Sequence, residues 1–314
     1  MAVLILSAAA KVLLVRAFRD AAAVRGWPVI AADIAVDSAA LFEADQALIL
    51  PRSDDPAFAP ALLDVCRRHA IRLVVPSRDG ELAVLADLKP QLAQLSGVVL
   101  VPSAEALAIC RDKRRFVEFC RAQGFETPRT FADGEPPQFP VFVRPAEGSG
   151  GAGARRVDRP QDLPDRTGLL VQALETAPEF TVDVLCSLDG RPLQAVARRR
   201  IAVRTGEAVK SQVVDAPDLT NPALRLASAL GLIGHNVVQA FWETGRPPRF
   251  IEVNPRFGGA SNLAIRAGLA SPERILAMLA GEADRPRDIA YGLTMLRYAE
   301  DRLVTEAELA AIGR

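Results

Sequence analysis

Residues 250–259, FIEVNPRFGG, combine the alternation of a strand with polar side chains where a buried strand would normally carry valine. Alternate residues of a strand share one face, so Glu252 and Asn254 point the same way. If the preceding strand is joined to this one through a four-residue loop at 244–247 of ETGRPP, Gln239 lies directly opposite Glu252. The sequence therefore predicts three oxygen-bearing side chains on one patch of sheet.

Oxygen ligands of this kind suit a hard cation such as magnesium, which shares its other coordination positions with water and phosphate oxygens. Two alternatives stay open: a half-solvated hairpin whose polar face meets only water, and Glu243, which has the parity of Gln239 and is a rival ligand beside the turn. After the strand, Arg256 carries a permanent charge, and Gly258 and Gly259 let backbone amides approach an anion. Such a cluster is typical of phosphate chemistry.

Composition limits the class of protein. The chain has 314 residues, 50% hydrophobic and 24% charged, which is typical of a compact protein of two or three lobes. Its 38 basic side chains equal its 38 acidic ones, so no overall field favours nucleic acid or a membrane surface. The four cysteines have no CxxC spacing, which argues against a zinc cage. The apolar start lacks the basic residues of a signal peptide, and we expect a cytoplasmic protein.

The pattern of predicted secondary structure changes near residue 104. Before it, short apolar strands alternate with amphipathic helices, which predicts a doubly wound, Rossmann-like α/β lobe with a parallel sheet. After it, SAEALAICRDKRRFVEFCRAQG is predicted as one helical stretch with Ser103 as N-cap and Gly124 as its end. The short strands and glycine-rich loops that follow are typical of antiparallel sheet, with hairpins at LDGRP and ETGRPP.

Two further segments carry groups that a nucleotide needs. In FPVFVRPAEGSGGAG, a strand ending at Arg144 enters a loop of small residues suited to phosphates. These loop residues are Gly148, Ser149, Gly150 and Gly151. In CRDKRRF, Lys113 begins a cluster of cations on a helix. A flexible loop and a solvated helix face are the alternatives. The loop also matches GxGxxG, but the prolines that follow argue against a Rossmann fingerprint, and no GK[ST] completes a P-loop.

Other polar residues give weaker signals. Cys66 and His69 lie three apart on a predicted helix and are candidates for a nucleophile and its base, although packing explains Cys66 more simply. The role of His235 is open. Strand alternation divides the arginine triplet 198–200 between two faces, so one pocket receives either Arg199 or its two neighbours.

Nearly the whole chain resembles the ATP-grasp superfamily, most closely the branch typified by the large subunit of carbamoyl phosphate synthetase. The segments that carry the likeness are RDKRRFVEFCRAQGFETP, FPVFVRPAEGSGGAG, LLVQALETAPEFTVDVL and NVVQAFWETGRPPRFIEVNPRFGGASNLAIRAG. The last is the most specific, because Gln is followed about thirteen residues later by Glu-x-Asn-Pro-Arg. The resemblance implies a Rossmann-like domain over 1–104, an ATP-grasp lid subdomain over 105–171 and an antiparallel catalytic lobe over 172–314.

Residue roles follow from the same resemblance. Gln239, Glu252 and Asn254 are expected to bind the magnesium ions that bridge the phosphates of ATP, and Arg256 to stabilise the transferred phosphoryl group or acyl intermediate. The expected nucleotide contacts are Lys113, Arg144 and the loop 148–151 at the phosphates, Glu179 at the ribose, and Gln172, Ala173 and Leu174 at the adenine. The stretch RRRIAVRTGEAVKSQVVD resembles that of smaller single-module ligases and adds Arg200 and Lys210 to the candidate catalytic residues.

We therefore expect an ATP- and Mg²⁺-dependent ligase that joins a small carboxylate to an amine or thiol through an acyl phosphate, with the dimeric state common among such enzymes. A grasp-fold kinase and a nucleotide-binding regulator without turnover are the alternatives. Two departures matter: a single module argues against two-step carbamoyl phosphate synthesis, and the first-lobe loop reads SAAAK where relatives often carry glycines. Asp79 and Glu81, after a predicted strand, either contact a cationic substrate or cap the next helix.

Overall fold

The first lobe is a parallel sheet covered by helices on both faces. The structure, a computed structural model, describes residues 1–9, 11–148 and 151–312. The elements of this lobe are β1 (Ala2–Ile5), α1 (Val12–Ala23), β2 (Val29–Asp33), β3 (Gln46–Ile49), α2 (Phe58–Arg68), β4 (Ile71–Val75), α3 (Leu82–Gln94) and β5 (Val98–Val99). The strands lie in the order β3-β2-β1-β4-β5. Val3 and Ile5 pack with α1, while Ala2 and Leu4 pack with α2 and α3. The doubly wound prediction is confirmed.

The rest of the described chain builds two antiparallel sheets. Its elements are α4 (Ala104–Arg111), α5 (Lys113–Ala122), β6 (Val141–Pro145), β7 (Arg155–Val157), β8 (Leu169–Ala173), β9 (Glu179–Cys186), β10 (Pro192–Arg204), β11 (Glu207–Val214), α6 (Pro217–Ala229), β12 (Gly234–Phe241), β13 (Arg249–Asn254), α7 (Ser261–Ala264), α8 (Ser271–Leu279), β14 (Thr294–Leu296) and α9 (Glu306–Ala311). The small sheet has the order β7-β6-β8, and the large one β13-β12-β9-β10-β11-β14. The predicted antiparallel strands are thus divided between a small sheet and a large one.

The single helix predicted after residue 103 is wrong, because two helices meet at Asp112. Asp112 has an extended backbone, and its Oδ1 accepts a hydrogen bond from the amide of Arg114 at 2.8 Å. An aspartate in this position satisfies amide donors that the first turn of a helix leaves without partners, so it starts α5 anew. Ser103 caps α4 as predicted. The break places Lys113 in the first turn of α5, beside the large cleft described below.

The hairpin of β12 and β13 has the predicted pairing but not the predicted turn. Gln239 pairs with Glu252, as expected. A bulge just after Gln239 shifts the outer register, so that Phe241 pairs with Arg249 and the connection spans residues 242–248. A bulge adds one residue to one strand only. The four-residue loop is therefore wrong, while the end of the hairpin that carries the polar patch keeps its alignment.

Among residues 1–9, 11–148 and 151–312, no helix is both long enough and apolar enough to cross a membrane.

Candidate active site

A cleft of about 790 Å³ is lined by the first lobe, the small sheet and one face of the large sheet. It brings together most of the side chains predicted from sequence. Those lining it are Lys113, Arg144, Gly148, Gly151, Gln172, Ala173, Leu174, Glu179, Arg200, Gln239, Glu252, Asn254 and Arg256. Lys210 does not line the cleft and is exposed on β11. Ser149 and Gly150 lie outside the described residues.

The three expected metal ligands occupy one face of the β12–β13 hairpin. Asn254 Nδ2 donates to Glu252 Oε1 at 3.3 Å. The Gln239 carboxamide can face Glu252 with either end. With its nitrogen toward Glu252, that nitrogen donates at 3.1 Å and the oxygen accepts from Arg200 Nη1 at 3.3 Å. With its oxygen toward Glu252, two oxygens face each other, which is an arrangement that a bound cation stabilises.

The chemistry of this patch fits a magnesium ion that also has a phosphate partner. It offers one carboxylate and two amide groups, all with oxygen donors, as a hard cation requires. Among the described residues, no group of three or more His, Cys, Asp or Glu side chains is arranged to hold a metal. Because Glu252 is alone in supplying charge, anionic oxygens from a ligand would have to complete the site. Glu243 is exposed in the connection and does not line the cleft.

Two buried cations face the same patch. Lys113 is 8% exposed, and its Nζ donates to the carbonyl of Gly148 at 2.6 Å, at the start of the glycine loop. Burial lowers the pKa of Lys113, although the nearby Glu252 carboxylate raises it in part. Arg144, 6% exposed, donates from Nη2 to the carbonyl of Ile251 at 3.1 Å. Both cations donate to backbone oxygens, and neither pairs with a carboxylate within residues 1–9, 11–148 and 151–312, which leaves their charge available to an anion in the cleft.

The expected ribose and adenine contacts lie at the end of the cleft formed by β8 and β9. Glu179 Oε1 lies 3.1 Å from Arg200 Nε. Burial raises the pKa of Glu179, and Arg200 partly opposes that shift. The buried side chain of Gln172 donates to Thr130 Oγ1 at 2.9 Å, so Gln172 contributes its position in the strand rather than a free amide.

Arg256 is held by Asp79, a residue of the first lobe. Its Nε and Nη2 donate to the two carboxylate oxygens of Asp79 at 2.7 and 2.5 Å. A paired, two-point contact of this kind fixes the plane of the guanidinium. Glu81, two residues further, is buried and accepts from the amides of Ser77 and Arg78 at 2.6 and 3.1 Å. Glu81 therefore caps the local turn and Asp79 pairs with Arg256, while contact of either residue with a cationic substrate stays a prediction.

Sequence reasoning missed a buried polar network beneath the cleft. Asp183 Oδ2 accepts from Arg198 Nε at 2.5 Å, and its Oδ1 accepts from Ser261 Oγ at 2.5 Å and lies 3.0 Å from His235 Nε2. Burial alone would raise the pKa of Asp183, but Arg198 and His235 outweigh burial and hold that pKa below its ordinary value. The Ser261 hydroxyl also accepts from the amide of Gly258 at 2.9 Å. The network thus fixes the loop that follows β13.

The alternation of side chains along strands was the signal that could have identified this network. Asp183 shares a strand face with Glu179 on β9, and Arg198 and Arg200 share a face on β10 as predicted, with Arg199 exposed on the other side. His235, whose role was open, is fully enclosed by the network and stacks on Phe257, with ring centroids 4.2 Å apart.

A second missed group lies at the cleft wall nearest the first lobe. Lys11 of the SAAAK loop lines the cleft, as does Glu207 at the tip of the β10–β11 hairpin. Arg297 pairs with Glu207 and also donates to the carbonyl of Gly259. A Cβ at Gly259 would meet the Glu207 carboxylate, so a larger residue there would displace the end of the Glu207 side chain. The departure at SAAAK was the only sequence signal for Lys11.

The cysteine alternative loses its support. Cys66 is 2% exposed in the core of the first lobe and does not line the cleft. Burial raises the pKa of its thiol to about 12, so the thiolate needed for nucleophilic attack is scarce at neutral pH. Packing is the role that the structure supports.

Comparison with known proteins agrees with this arrangement. Residues 3–101 match the family model "PylC-like, N-terminal domain", and residues 165–300 match "ATP-grasp in the biosynthetic pathway with Ter operon". The chain is 34% identical over 153 residues to a formate-dependent phosphoribosylglycinamide formyltransferase of Synechococcus sp. (strain CC9605), covering 44% of this chain and 36% of the relative. It is 26% identical over 259 residues to the carbamoyl phosphate synthase large chain of Thermoplasma acidophilum, covering 72% of this chain and 25% of the relative.

Solved structures show the same fold over almost the whole chain. The biotin carboxylase of Campylobacter jejuni, solved as a β,γ-ATP complex, superposes with a TM-score of 0.73 at 17% identity, covering 93% of this chain and 73% of that one. A Rossmann-like lobe followed by two antiparallel sheets around a polar cleft is therefore an ATP-grasp architecture. The chain therefore has an ATP-grasp fold and matches an ATP-grasp family model over residues 165–300, and it spans about a third or less of the length of the two curated relatives.

Proposed function

We propose that this protein is an ATP-dependent ligase that joins a carboxylate to an amine and forms ADP and phosphate. The observation that carries the proposal is that one cleft holds an oxygen-ligand patch, two buried cations that donate to backbone carbonyls, and a fixed arginine. The three-domain division at residues 104 and 171 is retained as part of the proposal. A thiol in place of the amine is a variant of the same chemistry.

Each part of the cleft has a role in binding ATP. Lys113 and Arg144 would contact phosphate oxygens, and Glu179 would accept hydrogen bonds from the ribose hydroxyls. Gln239, Glu252 and Asn254 would hold Mg²⁺, which supplies neutralisation of phosphate charge when bound. The glycine loop beside Lys113 would cover the phosphates and exclude water. The adenine would lie against Gln172, Ala173 and Leu174 at the end of β8.

The chemistry then follows from position and charge. An oxygen of the substrate carboxylate attacks the γ-phosphorus of ATP, the bond to the β,γ-bridging oxygen breaks, and ADP leaves with that electron pair. The amine attacks the acyl carbon of the resulting acyl phosphate, inorganic phosphate leaves with the C–O electron pair, and the amine loses a proton to solvent. Arg256, held in plane by Asp79, would stabilise negative charge in both steps.

The relatives support this proposal in general terms. The Synechococcus relative is by name formate-dependent, and formate is a carboxylate, while the Campylobacter biotin carboxylase was solved as a β,γ-ATP complex. Neither relative specifies the carboxylate or the amine that this chain would join.

Nucleotide turnover in the presence of pooled substrates tests the proposal. The protein is incubated with Mg²⁺ and ATP and with pools of amino acids, small carboxylic acids and amines, and both ADP and free phosphate are measured. A ligase releases both products when the right pool is present, and a Glu252→Ala variant should abolish that release. ADP without free phosphate would instead indicate a kinase that keeps the phosphoryl group on its product. Failure to bind ATP at all would overturn the assignment of the cleft.

A further inference from the structure

Lys11 is a half-buried cation on the wall of the cleft, and it comes from the first lobe rather than from the grasp fold proper. Four charged groups lie close enough to affect the pKa of its ammonium group: Glu207, Arg256, Arg297 and Asp79. Burial lowers that pKa in addition. The ammonium is therefore partly removed from water in a region crowded with other charges.

Both carboxylates near Lys11 are already engaged. Asp79 binds Arg256 through both of its oxygens, and Glu207 pairs with Arg297. Within the part of the chain that the structure describes, Lys11 makes no ion pair of its own and donates no side-chain hydrogen bond. Removing a charge from water without a partner is costly. A site of this kind is completed by an anionic ligand.

The position of Lys11 favours a carboxylate over the phosphates of ATP. The charged neighbours of Lys113, at the phosphate position, are Glu252, Arg144, Asp112 and Asp79. The loop that carries Lys11 follows β1, and the loop that carries Asp79 follows the neighbouring strand β4; Ser77 Oγ of the second loop donates to the carbonyl of Ser7 in the first at 2.7 Å. Lys11 therefore lies on the first-lobe wall of the cleft, beside the pair of Asp79 and Arg256, whereas Lys113 lies against Gly148 of the glycine loop.

We propose that Lys11 binds the carboxylate of the acceptor substrate and delivers it to the reacting position beside Arg256. This inference rests on the ligase function proposed above. The nucleotide end of the cleft is defined here by Lys113, Arg144, Glu179 and Glu252, and the acceptor end by Lys11, Asp79, Glu207 and Arg256. The first lobe then contributes a substrate ligand directly, through the SAAAK loop that follows β1.

The small number of lysines allows a direct test of binding. The chain has four, Lys11, Lys89, Lys113 and Lys210. Reductive methylation with ¹³C-formaldehyde keeps their charge and gives each side chain one NMR signal, assigned with single Lys→Arg variants. The full-length protein is titrated at constant ionic strength with sodium salts of small mono- and dicarboxylic acids and amino acids, with sodium chloride as control, and separately with MgADP.

The expected result separates the two ends of the cleft. At least one carboxylate should shift the Lys11 signal saturably while sodium chloride does not, and MgADP should shift Lys113. Lys89, which donates to the backbone carbonyls of Val101 and Pro102, serves as the internal control and should not move. A Lys11 signal that responds to MgADP alone, or to none of the carboxylates, would overturn the proposal.

Kinetics distinguish a substrate ligand from a structural role. Once a stimulating pool is identified, Lys11→Met should raise KM for the carboxylate by about tenfold or more, the loss typical of a charge-assisted hydrogen bond, with KM for ATP unchanged. Lys11→Arg should restore much of the affinity. Arg199→Met, exposed on the other face of β10, is the matched control. Equal effects on both KM values would contradict the proposal. Carboxylate binding at Lys11 without any turnover would instead show that the ligase function fails while the binding site stands.

Discussion

The two ends of the cleft are built in different ways. At the nucleotide end, Lys113 and Arg144 donate to backbone carbonyls, and all the residues come from the chain after residue 104. At the acceptor end, cations pair with carboxylates, and the pair of Asp79 with Arg256 joins residues 177 positions apart. The first end is a property of the grasp fold alone, whereas the second exists only when the first lobe is in place.

This difference has a functional consequence. Backbone carbonyls position the nucleotide cations without neutralising them, as a polyanionic ligand requires. The pairs at the acceptor end hold Arg256 in a fixed plane and leave Lys11 as the cation without a carboxylate partner among the described residues there. Changes in the first lobe should therefore alter acceptor binding while nucleotide binding persists, and the predictions below test that separation.

The largest effect is expected on stability, from the network under the loop of Arg256. Asp183→Asn leaves buried Arg198 without its charge partner, and we expect the free energy of unfolding to fall by about 3–5 kcal/mol. Because the folded-state pKa of Asp183 is held below its ordinary value, this stabilisation is present above about pH 4 and is lost as pH falls below it. Urea denaturation at several pH values measures both effects.

The matched control is Asp54→Asn, which removes an exposed partner of Arg52. Exposed pairs contribute little, so no measurable change in stability is expected. If Asp183→Asn is as stable as this control, the buried network is not a structural support for the acceptor end.

The next largest effect concerns turnover. Glu252→Gln removes the carboxylate of the proposed metal patch, and we expect kcat to fall by roughly 10²-fold or more, as when a preorganised electrostatic group is lost. Glu243→Gln, on the exposed connection of the same hairpin, should keep normal turnover. Release of ADP and phosphate under saturating Mg²⁺ is the measurement. Equal losses in the two variants would remove the distinction between the patch and the hairpin surface.

The nucleotide end was largely predictable from sequence because its residues lie on strands with regular alternation. Gln239 faces Glu252 even though the loop length used to align them was wrong, since the bulge lies on the turn side of the pair. The acceptor end was not predictable in this way. No periodicity connects Asp79 to Arg256 or Glu207 to Arg297, because these pairs depend on the packing of distant segments. Asp112 shows that hydrophobic periodicity can also miss a local break. It caps the start of α5, so the chain forms two helices where periodicity alone predicts one.

A smaller effect is expected at the ribose position. Glu179→Gln should raise KM for ATP by about tenfold, the loss typical of a hydrogen bond to a charged group, while KM for the carboxylate stays unchanged. In the same variant, KM should differ less between ATP and 2′-deoxy-ATP than it does in the protein that keeps Glu179. The deoxy nucleotide lacks one of the hydroxyl groups that Glu179 would bind, so its binding loses less when Glu179 is replaced. Unaltered discrimination would place the ribose elsewhere and would weaken the assignment of the nucleotide end.

The smallest effect is a pH dependence confined to the acceptor end. Burial lowers the pKa of Lys11. The positive charges of Arg256 and Arg297 lower this pKa further, whereas the carboxylates of Glu207 and Asp79 oppose the shift. Lys11 should therefore lose its proton at a pH below the ordinary lysine pKa of about 10.4, and KM for the carboxylate should rise a few-fold as the pH increases toward that value. Lys11→Arg keeps its charge there, so its KM should stay level. KM for ATP is measured in the same experiments. If KM for the carboxylate rises with pH in Lys11→Arg as it does in the protein that keeps Lys11, another group causes the rise, and Lys11 does not have the role that distinguishes the two ends.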